Sequence, residues 1–131
     1  MDTPDLNKIV DFWIQSSDQD YKTMTDLFAT KNFHWSLFMG HLVIEKLLKA
    51  HYAKIVGGFP PLLHDLRRLA ELGGLTLDHE QTINLDSITR FNINARYDDY
   101  RQSFYKLCNE KFTKEWTLKI NITREWIKNL L

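Results

Sequence analysis

Residues 33–50 read Phe33-His34-Trp35-Ser36-Leu37-Phe38-Met39-Gly40-His41-Leu42-Val43-Ile44-Glu45-Lys46-Leu47-Leu48-Lys49-Ala50, and the spacing of their apolar side chains decides the fold. Phe33, Leu37, Ile44, Leu47 and Leu48 recur on one side, with Phe38, Leu42 and Val43 beside them. That is the period of an α-helix, but the stripe is wider than a helix lying on a surface needs. A helix apolar around most of its circumference has to be wrapped by others. Gly40 in its middle costs about 1 kcal/mol relative to Ala, which predicts that a neighbouring helix crosses closely there.

Outward from this rod, Thr3 as N-cap, Pro4 at the first helical position and Asp5 at the positive end of the dipole open a first helix. Val10, Trp13, Ile14, Ser17, Tyr21, Met24 and Phe28 carry its stripe to Ala29, and Lys31-Asn32 breaks it. The central helix continues through Ile55 to Gly57-Gly58, followed by a Pro60-Pro61 loop. A short helix then spans His64 to Leu72. Asp78-His79-Glu80-Gln81 reads as a capping box opening a helix that ends near Asn92. A bend over Asn94 to Asp99 and a short helix from Tyr100 to Cys108 lead to a final helix carrying Phe112, Trp116, Ile120, Thr123, Ile127 and Leu130. The pattern predicts a single all-α domain over 1–131, an antiparallel up-and-down bundle of four to five helices.

With 131 residues, 44% of them hydrophobic, the chain is long enough to bury a core without staples. Five Gly and three Pro favour long helices over many-turned strands. Lys plus Arg and Asp plus Glu both number 17, so no global attraction draws the chain to nucleic acid or an acidic membrane. Such binding would need a local basic patch. The single cysteine, Cys108, excludes an internal disulfide and fits a reducing compartment. No signal-peptide core opens the chain and no apolar run approaches the length of a membrane span, so the expectation is a soluble cytoplasmic protein.

Several residues could carry chemistry. His34, His41 and Glu45 share roughly one helix face, but the paired Glu-x-x-His motifs of a helical di-metal site are missing, so no metal or other cofactor is expected. Glu45, Lys46 and Lys49 form a charged strip. It reads either as a solvated edge with an i, i+4 pair or as lysines facing a phosphate-bearing ligand. His64, after the proline loop, can cap, pack or sit in a cleft. Cys108 reads as a small core residue. The densest polar–aromatic cluster runs from Arg90 to Arg101 and includes Arg96, Tyr97, Asp98 and Asp99. Its arginines could read phosphates and its tyrosines stack on bases, or Arg96 could pair with Asp98, Asp99 or Asp20 and hold the bend.

The order of these pieces resembles the HEPN domain, the helical family named for higher eukaryotes and prokaryotes nucleotide-binding. The resemblance covers nearly the whole chain. It lies in Trp13 to Asp20, in Phe38 to Ala50 with its Ile44-Glu45-Lys46-x-x-Lys49-Ala50 core, in Pro60 to Leu66 ending His64-Asp65-Leu66, and in Ala95-Arg96-Tyr97. It implies a four-to-five-helix bundle, commonly a homodimer and often encoded beside a minimal nucleotidyltransferase. Many members resembling this one are metal-independent ribonucleases using Arg-x(4–6)-His, in which an arginine neutralises phosphate and a histidine moves the 2′-hydroxyl proton. Here Arg90 and Tyr97 match the toxin-like Arg-x4-His-x-Tyr form, but Ala95 stands at the histidine position. The tyrosine of that branch can receive AMP from the partner enzyme, a role the resemblance extends to Tyr97.

Three readings follow. The first is a non-catalytic module of a toxin–antitoxin-like gene pair. It would bind nucleotide or RNA through Arg90, Arg96, Tyr97, Lys46, Lys49 and His64, or dock a nucleotidyltransferase. The second is a ribonuclease in which His64 replaces the missing histidine. The third is a structural module whose chemistry is dimerisation through exposed apolar helix faces.

Overall fold

The structure is a computed structural model and describes residues 5–131, apart from the side chain of Asp98. The long apolar run forms α2 (Phe33–Ile55), and 14 of its 23 residues are buried, as a rod wrapped on most sides must be. α1 (Leu6–Ala29) lies beside it after a joint in which Lys31 takes the left-handed conformation at φ 63°. Two buried hydroxyls tie the pair. Ser17 donates to the Val43 carbonyl and Ser36 to the Met24 carbonyl, each at 2.8 Å. The expected N-cap Thr3 and first-turn Pro4 lie outside the described residues. Among those described, Asp5 caps α1 by accepting from the Lys8 N–H.

Gly40 is where α6 (Glu110–Leu130) crosses: a Cβ there would sit 2.5 Å from Ile120 Cδ1 and 3.3 Å from Met24 Sδ. The close crossing expected at that glycine is thus made by α6, with α1 contributing the methionine. α6 is also tied to α1 at the surface, where Arg124 lies 3.9 Å from the Tyr21 ring centre and, with Lys128, reaches Asp18.

α3 (Leu66–Leu72) starts two residues later than the spacing predicted, because Asp65 is spent as its N-cap, accepting from the Arg68 N–H at 3.2 Å. α4 (His79–Arg96) opens with the expected capping box, both arms of which are made. It runs past its expected end near Asn92. Phe91, Asn92 and Ala95 are buried on one flank, so packing carries the helix through residues whose local preference is for turns. The predicted bend shrinks to Tyr97, which ends α4 and starts α5 (Asp98–Leu107). Four long helices and two short ones therefore make the bundle. No strand occurs among the described residues, and no helix there is long and apolar enough to cross a membrane.

The core lies along α2. Leu37, Ile44, Leu47 and Leu48 meet Leu66 and Leu69 of α3, Leu85 and Ile88 of α4, and Ile120 and Ile127 of α6, all essentially inaccessible. Cys108 is buried at the joint between α5 and α6, as expected of a small apolar residue, and burial pushes its thiol up to about 12.

Candidate functional site

The most polar part of the interior is a seam that starts on α2 and ends at the surface of α4. His41, Glu45 and Lys49 follow each other at intervals of four, so one flank of α2 presents all three. Glu45 is only 4% exposed. Its Oε1 accepts from His64 Nδ1 at 2.6 Å and its Oε2 from Lys49 Nζ at 3.3 Å. Lys49 is itself buried, with its ammonium 5.0 Å from the Trp13 ring centre. The reading of Lys49 as a solvated edge is therefore wrong: the helix turns this pair inward. Apolar side chains of similar size would hold the helix as well as a buried ion pair does, so stability does not require the arrangement.

His64 reaches Glu45 because the loop that carries it is pinned from two sides. The His41 ring donates from Nε2 to the His64 carbonyl at 3.0 Å, and the Leu66 N–H at the start of α3 donates to Thr89 Oγ1 of α4 at 3.1 Å. Since a carbonyl only accepts, His41 carries its proton on Nε2. Its Nδ1 is then free to accept from Asn92 Nδ2 at 3.2 Å. That tautomer is neutral. Burial holds the ring below its ordinary pKa, partly offset by the His64 carbonyl and Glu45, and reinforced by the charges of His64 and Arg96. At 3.9 Å from Glu45, with its N–H already committed, His41 does not form an ion pair with it.

At the outer end, the Asn92 carbonyl accepts from Arg96 Nε at 3.3 Å, and the Arg96 guanidinium lies 5.5 Å from the Tyr97 ring centre. Arg96 is exposed, as is Tyr97 at 55%. Asp20 and Asp99 do not reach Arg96, and no carboxylate among the described residues pairs with it. A donor fork is thus fixed at its root and open at its tip, a form suited to a phosphate.

Lys49, His64, Arg96 and Tyr97 are linked through Glu45, His41 and Asn92. The other two expected site residues stand apart. Lys46 turns to α1 and pairs with Asp20 at 2.6 Å. Arg90 donates to Ser87 Oγ at 3.1 Å and, six residues before Arg96, points about 120° away around α4. Ala95 is fully buried, so the position at which the ribonuclease pattern has its histidine faces the core. The sequence offers His41 only as a candidate metal ligand beside Glu45; its hold on the His64 carbonyl, and the part Asn92 plays, carry no local signal. Among the described residues no group of three or more His, Cys, Asp or Glu side chains could hold a metal ion.

Comparison with curated proteins and with solved structures gave no match. The family model described as the HEPN domain matches residues 10–130, nearly the whole chain and every residue of the seam. The chain belongs to the HEPN-domain family, and so to its nucleotide- and RNA-related modules.

Proposed function

We propose that the open end of the seam binds the phosphate of a nucleotide, free or within RNA, with Arg96 as the anion fork, Tyr97 as a stacking surface and His64 as a further polar contact. On this reading the chain is a non-catalytic HEPN module, cytoplasmic and homodimeric, that serves as the partner of a minimal nucleotidyltransferase in a toxin–antitoxin-like pair. The observation that carries the reading is the Arg96 guanidinium, anchored through Nε to the Asn92 carbonyl and without a carboxylate among the described residues. Tyr97 is 55% exposed, as a tyrosine that receives AMP from a partner has to be. The test is calorimetric titration with AMP. Arg96→Ala is expected to weaken binding about tenfold or more, the loss of a charge-assisted hydrogen bond, with an unchanged melting transition. Absence of AMP binding by the wild type, or collapse of the fold in Arg96→Ala, overturns the reading.

A second reading is supported by one observation. His64 is 64% exposed at the side chain, its Nδ1 is fixed on Glu45, and its Nε2 has no partner among the described residues. An imidazole oriented by a carboxylate is the form a general base takes. Incubating RNA with the protein in EDTA tests cleavage: fragments that vanish in His64→Ala support it, and intact RNA at high protein concentration rejects it.

A further inference from the structure

α5 leads away from the Arg96–Tyr97 corner. Tyr97 starts it, and Arg101 and Tyr105 follow at intervals of four residues, about 6 Å apart along the axis. Tyr105 is 62% exposed, although an apolar ring of that size would ordinarily be drawn into the core. Opposite it stand His34, whose ring meets Tyr105 edge-on at 5.2 Å, and Trp35, stacked obliquely on His34 at 4.9 Å. Between these side chains open two adjoining hollows of about 290 and 320 Å³, both lined by His34 and Tyr105. Lys31 and Lys106 line the first and Arg101 the second; no carboxylate among the described side chains lines either. In a chain whose charges sum to zero, Lys31 and Lys106 give the first hollow the local basic character that nucleic-acid binding requires.

Two details point to a ligand. His34 is nine-tenths buried, at 9% exposed, yet neither ring nitrogen makes a hydrogen bond to a described residue. Burial, reinforced by Arg101, keeps that ring below its ordinary pKa, so at neutral pH it offers one donor and one acceptor to a base edge. The start of α2 opens on the same hollow, and Asn32 gives it no side-chain cap, so its first N–H groups remain for an anion.

We propose that this α5 flank, with His34 and Trp35 opposite, is a track for a single-stranded nucleic acid running from the Arg96–Tyr97 corner to Lys31 and Lys106. Bases stack on Tyr105 and Trp35, and phosphates follow Arg101, Lys106 and Lys31. Stacking on aromatic rings is tolerant of base identity, so the track reads little sequence. The proposal extends the nucleotide-binding reading of the corner, and the two can fail separately.

The test is fluorescence anisotropy with a short labelled oligoadenylate, as RNA and as DNA, beside calorimetry with AMP. The oligomer is expected to bind more tightly than AMP. Tyr105→Ala weakens oligomer binding at least about fivefold, while Tyr105→Trp restores it. Both leave AMP affinity and the melting transition unchanged, since Tyr105 is exposed. Lys106→Gln lowers the slope of log affinity against log salt by about 0.7. A preference for RNA over DNA would show that the track also reads the 2′-hydroxyl, and equal binding that it reads only bases and phosphates. Oligomer binding no tighter than AMP, or unaltered in Tyr105→Ala, overturns the track. The corner reading then still stands if AMP binding depends on Arg96. Conversely, Tyr105-dependent oligomer binding without AMP binding upholds the track and overturns the corner.

Discussion

Replacing Glu45 by alanine tests whether the seam is a built feature. The carboxylate is 4% exposed and holds two donors, His64 at 2.6 Å and Lys49 at 3.3 Å. Lys49 is 5% exposed, so the truncation leaves its ammonium inside the bundle with the Trp13 ring, 5.0 Å away, as its remaining favourable contact. Breaking a buried pair from one side costs about 3–5 kcal/mol, against about 0.3–0.5 kcal/mol for an exposed i, i+4 pair. The cation–π contact offsets about 1 kcal/mol of that. A net loss of about 2–4 kcal/mol lowers the Tm of a domain this size by roughly 7–15 °C. Glu45→Leu combined with Lys49→Met removes both charges and recovers most of the loss. Urea unfolding followed by tryptophan fluorescence on wild type, Glu45→Leu, Lys49→Met and the double variant closes a double-mutant cycle. A cost below about 1 kcal/mol for Glu45→Ala, or a coupling energy indistinguishable from zero, would mean that water reaches the pair. The seam would then be an ordinary surface contact.

Gly40→Ala sets about 1 kcal/mol of helix propensity against a Cβ placed 2.5 Å from Ile120 Cδ1 in a closed core. A net loss of up to about 2 kcal/mol in urea unfolding is expected, and adding Ile120→Val, which deletes that methyl, should recover part of it; a stabilised Gly40→Ala would contradict the close crossing. Burial holds His34, His41 and His51 below the ordinary imidazole value of 6.5. Below that pH the unfolded chain binds protons that the folded chain refuses, so stability is full above it and falls as pH drops toward the folded values. The unfolding free energy from urea titration should be flat from about pH 8 to 7 and decline toward about pH 5.5, by up to about 1.4 kcal/mol per unit for each ring, less steeply in His41→Gln. A value that rises on acidification would contradict this. Cys108, buried and with its thiol pushed up to about 12, should resist a thiol reagent in native protein and react with one equivalent in urea; rapid native reaction would place it at the surface.

What the sequence discloses depends on how far apart interacting partners lie. The rod of α2, its glycine crossing and the capping box at Asp78 are legible because the deciding residues sit within a few positions of one another. The bend expected after Asn92 was misplaced for the opposite reason. Asn92 sits in α4 because its amide meets His41, 51 residues away, and no local preference records that. The seam behaves likewise. Glu45, Lys49 and His64 are each visible, but their meeting depends on the His41 ring holding a carbonyl 23 residues further on. The openness of Arg96 depends on a competition that residue order cannot rank. Asp20, a conceivable partner, is already held at 2.6 Å by Lys46, on the face of α2 that meets α1. Arg96 is left to the Asn92 carbonyl and the Tyr97 ring. A summed charge hides such outcomes. The same 17 cations and 17 anions could have neutralised one another everywhere, and only their placement leaves Lys31 and Lys106 around a hollow that no described carboxylate lines.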